Sequence, residues 1–248
     1  NDGVKPCGGG VQFGEKGFSE SCWRTQHSVE RNGDLYPTHG IGPVSPMLDI
    51  NRGNRLVRLT SMATQSRGLY NYIVKNSGKD HPNAKVQFKL GDIVTTTIQC
   101  ENGQTIMLNH DTNSPRPYSL NFRVQGTNGL WMCDNNSIYI EEQSPQEHIW
   151  ESDESYMKKY DHPLWKRFEN EAEGSGHGGM DFFIVRAFIE SIRQGIKPPI
   201  DVYDAVSMSV ICPLSEESIA NNSASVEIPD FTRGKWKTNP AIFGLTNE

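Results

Sequence analysis

The middle third of the chain alternates apolar and polar residues in short runs, which is the pattern of half-buried β-strands. Runs at 56–63, 93–100 and 105–111 predict three strands, and the last two flank Asn102-Gly103. Because an Asn-Gly pair tolerates the positive φ angles of a tight turn, these two runs are expected to form a β-hairpin. The hairpin is the most specific local feature of the pattern.

Further runs at 118–126, 130–133, 137–141 and 226–228 extend the alternation. They predict a mainly antiparallel meander and a final strand that returns to it. The expected fold class is therefore α+β, with an open, predominantly antiparallel β-sheet covered by helices on one face.

Helical periodicity appears on both sides of the strand region. Residues 38–51 carry apolar side chains at helical spacing, so a helix capped by Thr38 is expected to start at His39. A short helix is predicted at 164–172, whereas the acidic, aromatic segment 149–160 is expected to be a long loop.

Two better-defined helices are predicted towards the C-terminal end. One carries an apolar stripe and ends at Gly195, and the other is expected to begin at Val202 with Asp201 as its cap. The apolar stripe consists of Phe182, Val185, Ile189 and Ile192.

The composition excludes several classes of partner. The 248 residues are 35% apolar and 22% charged, and the net charge of -6 with scattered basic residues offers no footing for nucleic acid or an anionic membrane. No apolar run approaches the roughly 18 residues of a membrane-spanning helix.

Five widely spaced cysteines without a CxxC pattern indicate reduced thiols. The histidines lack ligand spacing, so no metal site is predicted.

The sequence opens on Asn1-Asp2-Gly3 without a methionine, which favours a cut N-terminus with a further domain upstream. The chain is expected to form a single substrate-binding and oligomerisation domain. Within it, 1–33 are predicted to be an irregular arm, 34–230 the α+β core and 231–248 an extended tail.

A glycine-rich string at 174–179 matches the GxGxxG spacing of dinucleotide-binding loops. Such a loop needs a buried strand immediately before it, because its turn lifts the backbone off a sheet edge to meet the pyrophosphate. The preceding residues 166–173 are mostly charged. The string is therefore interpreted as a flexible loop that starts a helix, with a substrate-facing role for His177 as the alternative.

The segment Tyr36-Pro37-Thr38-His39 places a phenol and an imidazole three residues apart at the start of a predicted helix. Proline fixes φ between them and limits how far the two side chains can separate. Histidine titrates near neutral pH and is the commonest general acid or base. From spacing alone, a structural histidine and a site residue both remain open.

Three other features have a functional and a structural interpretation. Arg24, beside Trp23, would clamp a ligand or form a packed surface pair. Tyr118 would point into a cleft or staple the start of a strand. The carboxylates at 141–142 and 151–154 would be a glycosidase pair, but their clustering along the chain favours solvated loop charges.

The combined string of segments is more specific than its parts. Trp23-Arg24 is followed by the segments 31–44, 49–55, 178–182 and 198–205. Over nearly the whole chain, these segments resemble glycoside hydrolase family 109, the NAD-dependent α-N-acetylgalactosaminidases of the Gfo/Idh/MocA oxidoreductase superfamily. The part from Gly33 to Val44 is the most specific to that family.

The resemblance implies an N-terminal Rossmann domain that binds NAD, followed by the present chain as the sugar-facing domain. It also implies a reaction in which NAD takes hydride from sugar C3, and the resulting ketone acidifies the C2 proton. Loss of that proton expels the C1 substituent, water adds, and NADH returns the hydride. No carboxylate pair is needed, and the chain alone is expected to be inactive.

The same resemblance assigns roles to individual residues. His39 and Tyr36 are the expected catalytic residues, and Arg24, Tyr36 and Tyr118 are expected to contact an N-acetylgalactosaminide or related sugar. The residues expected to line the cofactor are Tyr36, Pro37, Thr38 and His39. The open sheet offers a surface for a homo-oligomer, and any export signal, common in the family, would lie upstream of Asn1.

Two other functions remain open at this point. One is a sugar dehydrogenase of the same superfamily, which releases NADH instead of recycling it. The other is a non-catalytic carbohydrate-binding or assembly module.

Overall fold

The structure, a computed structural model, describes residues 22–242, 244 and 245, with the side chains of 22–24 left out. The described chain forms two compact units. The first contains residues 22–117 and 200–242, and the second contains 118–199 with 244 and 245. Each unit is built around its own four-stranded antiparallel sheet.

The first unit holds five helices and four strands of the described chain, numbered in chain order over the whole protein. Its strands are β1 (Leu56–Ala63), β2 (Ile93–Cys100), β3 (Thr105–Asp111) and β8 (Val226–Glu227). Its helices are α1 (Cys22–Glu30), α2 (Thr38–Val44), α3 (Gly68–Ser77), α7 (Val202–Ser209) and α8 (Ile211–Ala220). Short 3-10 turns lie at Pro46–Leu48, Pro82–Lys85 and Lys235–Lys237.

The strands of the first unit run in the order β3-β2-β1-β8, and β2 and β3 pair as the predicted hairpin. Alternate residues such as Leu59 and Ile98 face a core shared with Ile211 of α8. The backbone N–H of Ser61 donates to Ser218 Oγ at 2.8 Å, which fixes α8 against β1. The period-2 pattern therefore identifies both the strands and their buried face.

The second unit contains a smaller sheet and three helices. Its strands, in the order β4-β5-β6-β7, are β4 (Arg123–Gln125), β5 (Gly129–Met132), β6 (Ser137–Ile140) and β7 (Glu151–Ser152). Its helices are α4 (Glu154–Tyr160), α5 (Pro163–Ala172) and α6 (Met180–Gln194). Two 3-10 turns lie at Cys133–Asn135 and His177–Gly179.

The α+β class with antiparallel sheets is confirmed, but the predicted meander divides into two sheets. Pro115 and Pro117 lie between β3 and β4 and have no N–H to donate to a ladder, which explains the break. Only 123–125 of the predicted strand 118–126 are extended in a ladder.

Three local expectations are wrong. Residues 149–160 are not a loop, because they contain β7 and α4. The described part of the arm 1–33 forms α1. The tail is not a simple extended arm, because it contains the 3-10 turn Lys235–Lys237, in which Trp236 is buried.

Of the two predicted helix caps, the one for α7 is confirmed and the one for α2 is wrong. The side chain of Asp201 accepts from the N–H groups of Tyr203 and Asp204, which confirms it as the cap of α7. By contrast, α2 begins at Thr38 itself, with Pro37 at the cap position and no side-chain cap. The expected Thr38 cap is therefore wrong.

The apolar stripe on α6 lies mostly at the surface. Within its unit, α6 packs through Phe182 and Phe183, which contact the rings of Phe168 and Trp165. The predicted residues Val185, Ile189 and Ile192 are exposed. Among the described residues, no helix has the length and apolar character that crossing a membrane requires.

Candidate functional site

The rings of Tyr36 and His39 form a stacked pair where the chain enters α2. Their centroids are 4.3 Å apart and the ring planes differ by 29°. Tyr36 is 46% exposed and His39 is also exposed, so part of each side chain faces solvent. The sequence expectation that these two groups lie together is confirmed, while their roles stay predictions.

The first turn of α2 holds this pair in place. The carbonyl of Pro37, whose ring is buried, accepts from the N–H groups of Gly40 and Ile41 at 3.0 and 2.9 Å. Ile41 is fully buried in the core of the first unit. A Cβ on Gly40 would lie 3.1 Å from Leu108 of β3, so α2 lies close against that strand. Thr38 is exposed beside His39.

Gly33 allows the preceding turn to approach α8. A Cβ there would lie 2.5 Å from Glu216 Cγ and 2.8 Å from Ser215 Oγ. Glu216 cannot easily move, because Arg31 donates two hydrogen bonds to it at 2.7 and 2.8 Å.

Gly33→Ala should therefore lower the free energy of unfolding by roughly 1–3 kcal/mol through overpacking. Gly42→Ala is the matched control, since a Cβ at this helical glycine meets nothing within 4 Å. The control should be neutral or stabilising by up to about 1 kcal/mol. Urea denaturation of the two variants measures the difference, and equal effects would contradict the close approach.

A buried acid and a buried histidine lie at the turn that leads into the Tyr36–His39 pair. The N–H of Asp34 donates to Ser215 Oγ at 2.8 Å, and its carboxylate accepts from the N–H of Tyr36 at 3.4 Å. His110 Nδ1 is 3.8 Å from Asp34 Oδ1. Sequence analysis missed His110, although the β3 alternation places it on the same buried face as Leu108.

The other two predicted sugar contacts are less defined. Arg24 lies in α1, and its side chain is outside the described residues. Tyr118 belongs to the second unit, is 80% exposed and lies outside any strand, so the expectation that it begins a strand is wrong. Its exposed phenol leaves a ligand contact as a prediction.

The glycine-rich string at 174–179 forms a loop that opens α6, as the sequence indicates. The element before it is helix α5, which ends at Ala172, and not a strand. His177 contacts Asp181 at 2.9 Å, and both side chains are exposed. The interpretation as a helix-start loop is confirmed. Within the described ranges, no group of side chains has the arrangement of a metal site.

The acidic segment 151–154 is partly structural. Asp153 is buried and accepts from Trp131 Nε1 at 2.7 Å. Glu151 accepts from Ser144 Oγ and Tyr156 Oη at 2.5 and 3.1 Å. The expectation that these carboxylates are solvated loop charges is wrong for both, because each holds elements of the second unit together.

Solved structures with a similar fold bind nicotinamide cofactors. The protein is similar to a levoglucosan dehydrogenase in complex with NADH and levoglucosan, with a TM-score of 0.57 and 16% identity over 92% of this chain and 57% of that chain. It is also similar to an inositol dehydrogenase homologue of Azotobacter vinelandii complexed with NADH and myo-inositol, with a TM-score of 0.51 and 19% identity. That match covers 85% of this chain and 54% of the other. At these identities the likeness shows the fold.

Sequence relatives are much closer. The chain is 56% identical to a glycosyl hydrolase family 109 protein of Stenotrophomonas maltophilia (strain K279a) over 98% of its own length and 54% of the relative's. It is 54% identical to an α-N-acetylgalactosaminidase of Tannerella forsythia over 99% of its own length and 53% of that enzyme's. The chain therefore spans about half the length of these relatives.

A family model described as the C-terminal domain of glycosyl hydrolase 109 matches residues 1–238. This match covers most of the chain, including both sheets and the Tyr36–His39 pair. Together with the relatives above half identity, it shows that the chain belongs to glycosyl hydrolase family 109.

Proposed function

We propose that this chain is the sugar-facing half of an NAD-dependent glycosidase that releases terminal α-linked N-acetylgalactosamine. The observation that carries the proposal is the exposed, stacked Tyr36–His39 pair at the start of α2. The Tannerella forsythia relative, named an α-N-acetylgalactosaminidase, supports the substrate class.

The residues at this position suit a nicotinamide and a sugar. The Tyr36 and His39 rings offer flat aromatic surface and two proton-transfer groups, and Pro37 and Thr38 supply the backbone between them. The dehydrogenases of similar fold were solved with NADH and a hydroxylated ring compound, which supports the same pair of ligands here. When bound, NAD supplies reversible removal of hydride from the sugar.

Within this proposal, His39 is the base that accepts the proton from sugar C2. A carbon–hydrogen bond next to a ketone gives an enolate on deprotonation, so an imidazole is a sufficient base. Tyr36 stacks on the imidazole and fixes its plane, with its hydroxyl directed to the sugar. Tyr118 and Arg24 are proposed to hold the sugar hydroxyl and acetamido groups. Glu151 and Asp153 are engaged in hydrogen bonds and are not needed as a carboxylate pair.

The test compares this chain with a full-length protein that carries the proposed NAD-binding half in front of it. The full-length protein should cleave an aryl α-N-acetylgalactosaminide, should lose activity when NAD is stripped, and should regain it when NAD is returned. The 248-residue chain should be inactive under the same conditions. Turnover by the chain alone would show that the proposed NAD-binding half is not required for activity, which would contradict the proposal.

A sugar dehydrogenase is the second candidate, because the solved structures of similar fold named above are dehydrogenases. Such an enzyme would accumulate NADH with free sugars and leave the glycosidic bond intact. Absorbance at the NADH band, recorded beside aglycone release, separates the two functions. Aglycone release without net NADH supports the glycosidase.

A further inference from the structure

The turn that leads to the Tyr36–His39 pair encloses a carboxylate with few partners. Asp34 is 2% exposed, and its carboxylate accepts from the Tyr36 N–H at a long 3.4 Å. Among the residues that the structure describes with side chains, no lysine or arginine pairs with it. Arg31 is engaged instead by Glu216 and by Cys212 Sγ at 3.1 Å.

The ionisable neighbours of Asp34 do not neutralise it. His110 on β3 is 3.8 Å away, and burial lowers the pKa of that imidazole to about 4. Burial also raises the pKa of Asp34 to about 6, so near neutral pH the carboxyl is ionised beside a neutral histidine. The other titratable groups nearby are Asp111 on β3, Cys212 and Glu216 on α8, and Arg31, whose guanidinium is paired with Glu216.

An ionised carboxylate in this position lowers the stability of the fold. A buried charge without a cation is unfavourable, whereas a neutral amide of the same shape keeps the hydrogen bond without the charge. Groups whose burial costs stability and perturbs their titration concentrate at functional sites. The position of Asp34, two residues before Tyr36 and bonded to its N–H, therefore needs a functional explanation.

We propose that Asp34 is a positioning residue, whose carboxylate holds the Tyr36 backbone so that the Tyr36 and His39 rings keep their stacked geometry towards the sugar. This inference rests on the proposed function. Asp34 lies two residues before Tyr36, its backbone N–H is held by Ser215 Oγ, and its carboxylate has His110 Nδ1 at 3.8 Å. Asp34 touches neither substrate nor cofactor in this account.

The test variant is Asp34→Asn, which keeps the shape and a neutral acceptor and removes the charge. In the full-length enzyme, kcat should fall by roughly 10- to 100-fold with a smaller change in KM, because a neutral amide accepts a weaker hydrogen bond from the Tyr36 N–H than a carboxylate does and small displacements of reacting groups are costly. At pH 7 the Tm of the variant should rise by roughly 2–6 °C, because the uncompensated charge is gone. A residue with a merely structural role would not combine lower kcat with higher Tm.

The gain in Tm should depend on pH in a defined direction. The pKa of Asp34 is raised in the folded protein to about 6, above its ordinary value near 3.8. The folded carboxyl therefore takes up its proton around pH 6, whereas the unfolded one stays ionised down to about pH 4, so the destabilisation is fully present above this window and is lost below it. The advantage of Asp34→Asn should shrink to nothing by about pH 4.

Asp230→Asn is the matched control. Asp230 also holds a turn, since it accepts from the N–H groups of Thr232 and Gly234 at 2.9 and 2.8 Å. Although burial raises the pKa of Asp230, these hydrogen bonds outweigh it and the pKa is lowered overall. This substitution should lower Tm at pH 7, opposite in sign to Asp34→Asn, and leave kcat unchanged.

An NMR titration of the unmodified chain tests the buried pair without any variant. The His110 ring should stay neutral down to about pH 4, with its signals responding near pH 6 as Asp34 takes up a proton. A His110 that is protonated at pH 6 would form an ion pair and overturn the proposal.

An Asp34→Asn enzyme with kcat within twofold of the original, or with a lower Tm at pH 7, would also overturn the proposal. An inactive unmodified enzyme would instead overturn the proposed function, and the positioning role with it, while the Tm and NMR results still report on the buried charge.

Discussion

Replacing His39 by alanine in the full-length enzyme should lower kcat/KM for an aryl α-N-acetylgalactosaminide by about 10²- to 10⁴-fold. This is the range for loss of a positioned general base. The expectation follows from the exposed imidazole stacked on Tyr36 and from its assignment as the base for the sugar C2 proton. Because the side chain is exposed, the free energy of unfolding should change by less than about 0.5 kcal/mol.

His177→Ala is the control for this substitution. His177 is also exposed and lies in the glycine-rich loop of the second unit, where it contacts Asp181. Its removal should leave kcat/KM within twofold. Equal losses from both histidine variants would contradict the assignment of His39. Full activity of both His39→Ala and Tyr36→Phe would favour a non-catalytic carbohydrate-binding or assembly module.

Asp204→Ala should lower the free energy of unfolding by about 3–5 kcal/mol, the range for removing one partner of a buried ion pair. Nη1 and Nη2 of Arg52 each donate to the Asp204 carboxylate at 2.7 Å, and the two side chains are only 13% and 6% exposed. Asn51 Nδ2 and the N–H of Asp201 donate to the same carboxylate at 3.1 and 2.9 Å. The variant thus removes the carboxylate that pairs with Arg52 and half of the capping box of α7.

The same interaction sets the direction of a pH effect. Burial raises the pKa of Asp204, but the hydrogen bonds from Arg52, Asp201 and Asn51 outweigh it and hold the pKa below its ordinary value. The stabilisation is therefore fully present above about pH 4 and is lost as the pH falls below it. The comparison is Arg193→Ala, which breaks an exposed pair with Glu190 and should change stability by less than about 1 kcal/mol. Urea denaturation that finds similar losses for both would contradict the buried pair.

Arg52 and Asp204 also connect two of the segments that resemble the family. They lie in 49–55 and 198–205, which are distant in sequence and are joined by this ion pair. Those segments therefore contribute a structural anchor of the first unit. The segment from Gly33 to Val44 contributes the exposed pair and the turn beneath it.

Local patterns predicted the first sheet well because each strand carries its own signal. The bounds 56–63, 93–100 and 105–111 agree with β1, β2 and β3, and alternate residues face the core. The Asp201 cap and the end of α6 at Gly195 also depend on neighbouring residues alone. Interactions between residues close in sequence are sufficient to predict these strands and helix ends.

Features that depend on distant residues were not predictable in the same way. Nothing local to 149–160 shows that Glu151 would pair with Ile138 of β6 or that Asp153 would accept from Trp131, so a polar segment that forms β7 and α4 resembled a loop. Likewise, the periodicity of α6 identified a helix but not which face it buries. Phe182 and Phe183 are half-buried and pack against aromatic partners from α5.

The candidate site likewise contains one contact that the local sequence predicts and one that it does not. Sequence placed Tyr36 and His39 together because they are three residues apart, and proline limits the chain between them. It did not identify Asp34 and His110 as a pair, because their contact joins a turn to a strand more than seventy residues later. An interpretation of His110 from the inward positions of β3 would have found the second partner.

In the proposed function this chain presents the sugar to an oxidation at C3 and an elimination across C1 and C2, and turnover in D₂O tests this most directly. N-acetylgalactosamine released by the full-length enzyme should carry deuterium at C2, since the C2 proton leaves and is replaced from solvent. Stripping NAD should abolish both release and exchange. Full release without NAD, with hydrogen retained at C2, would contradict the account.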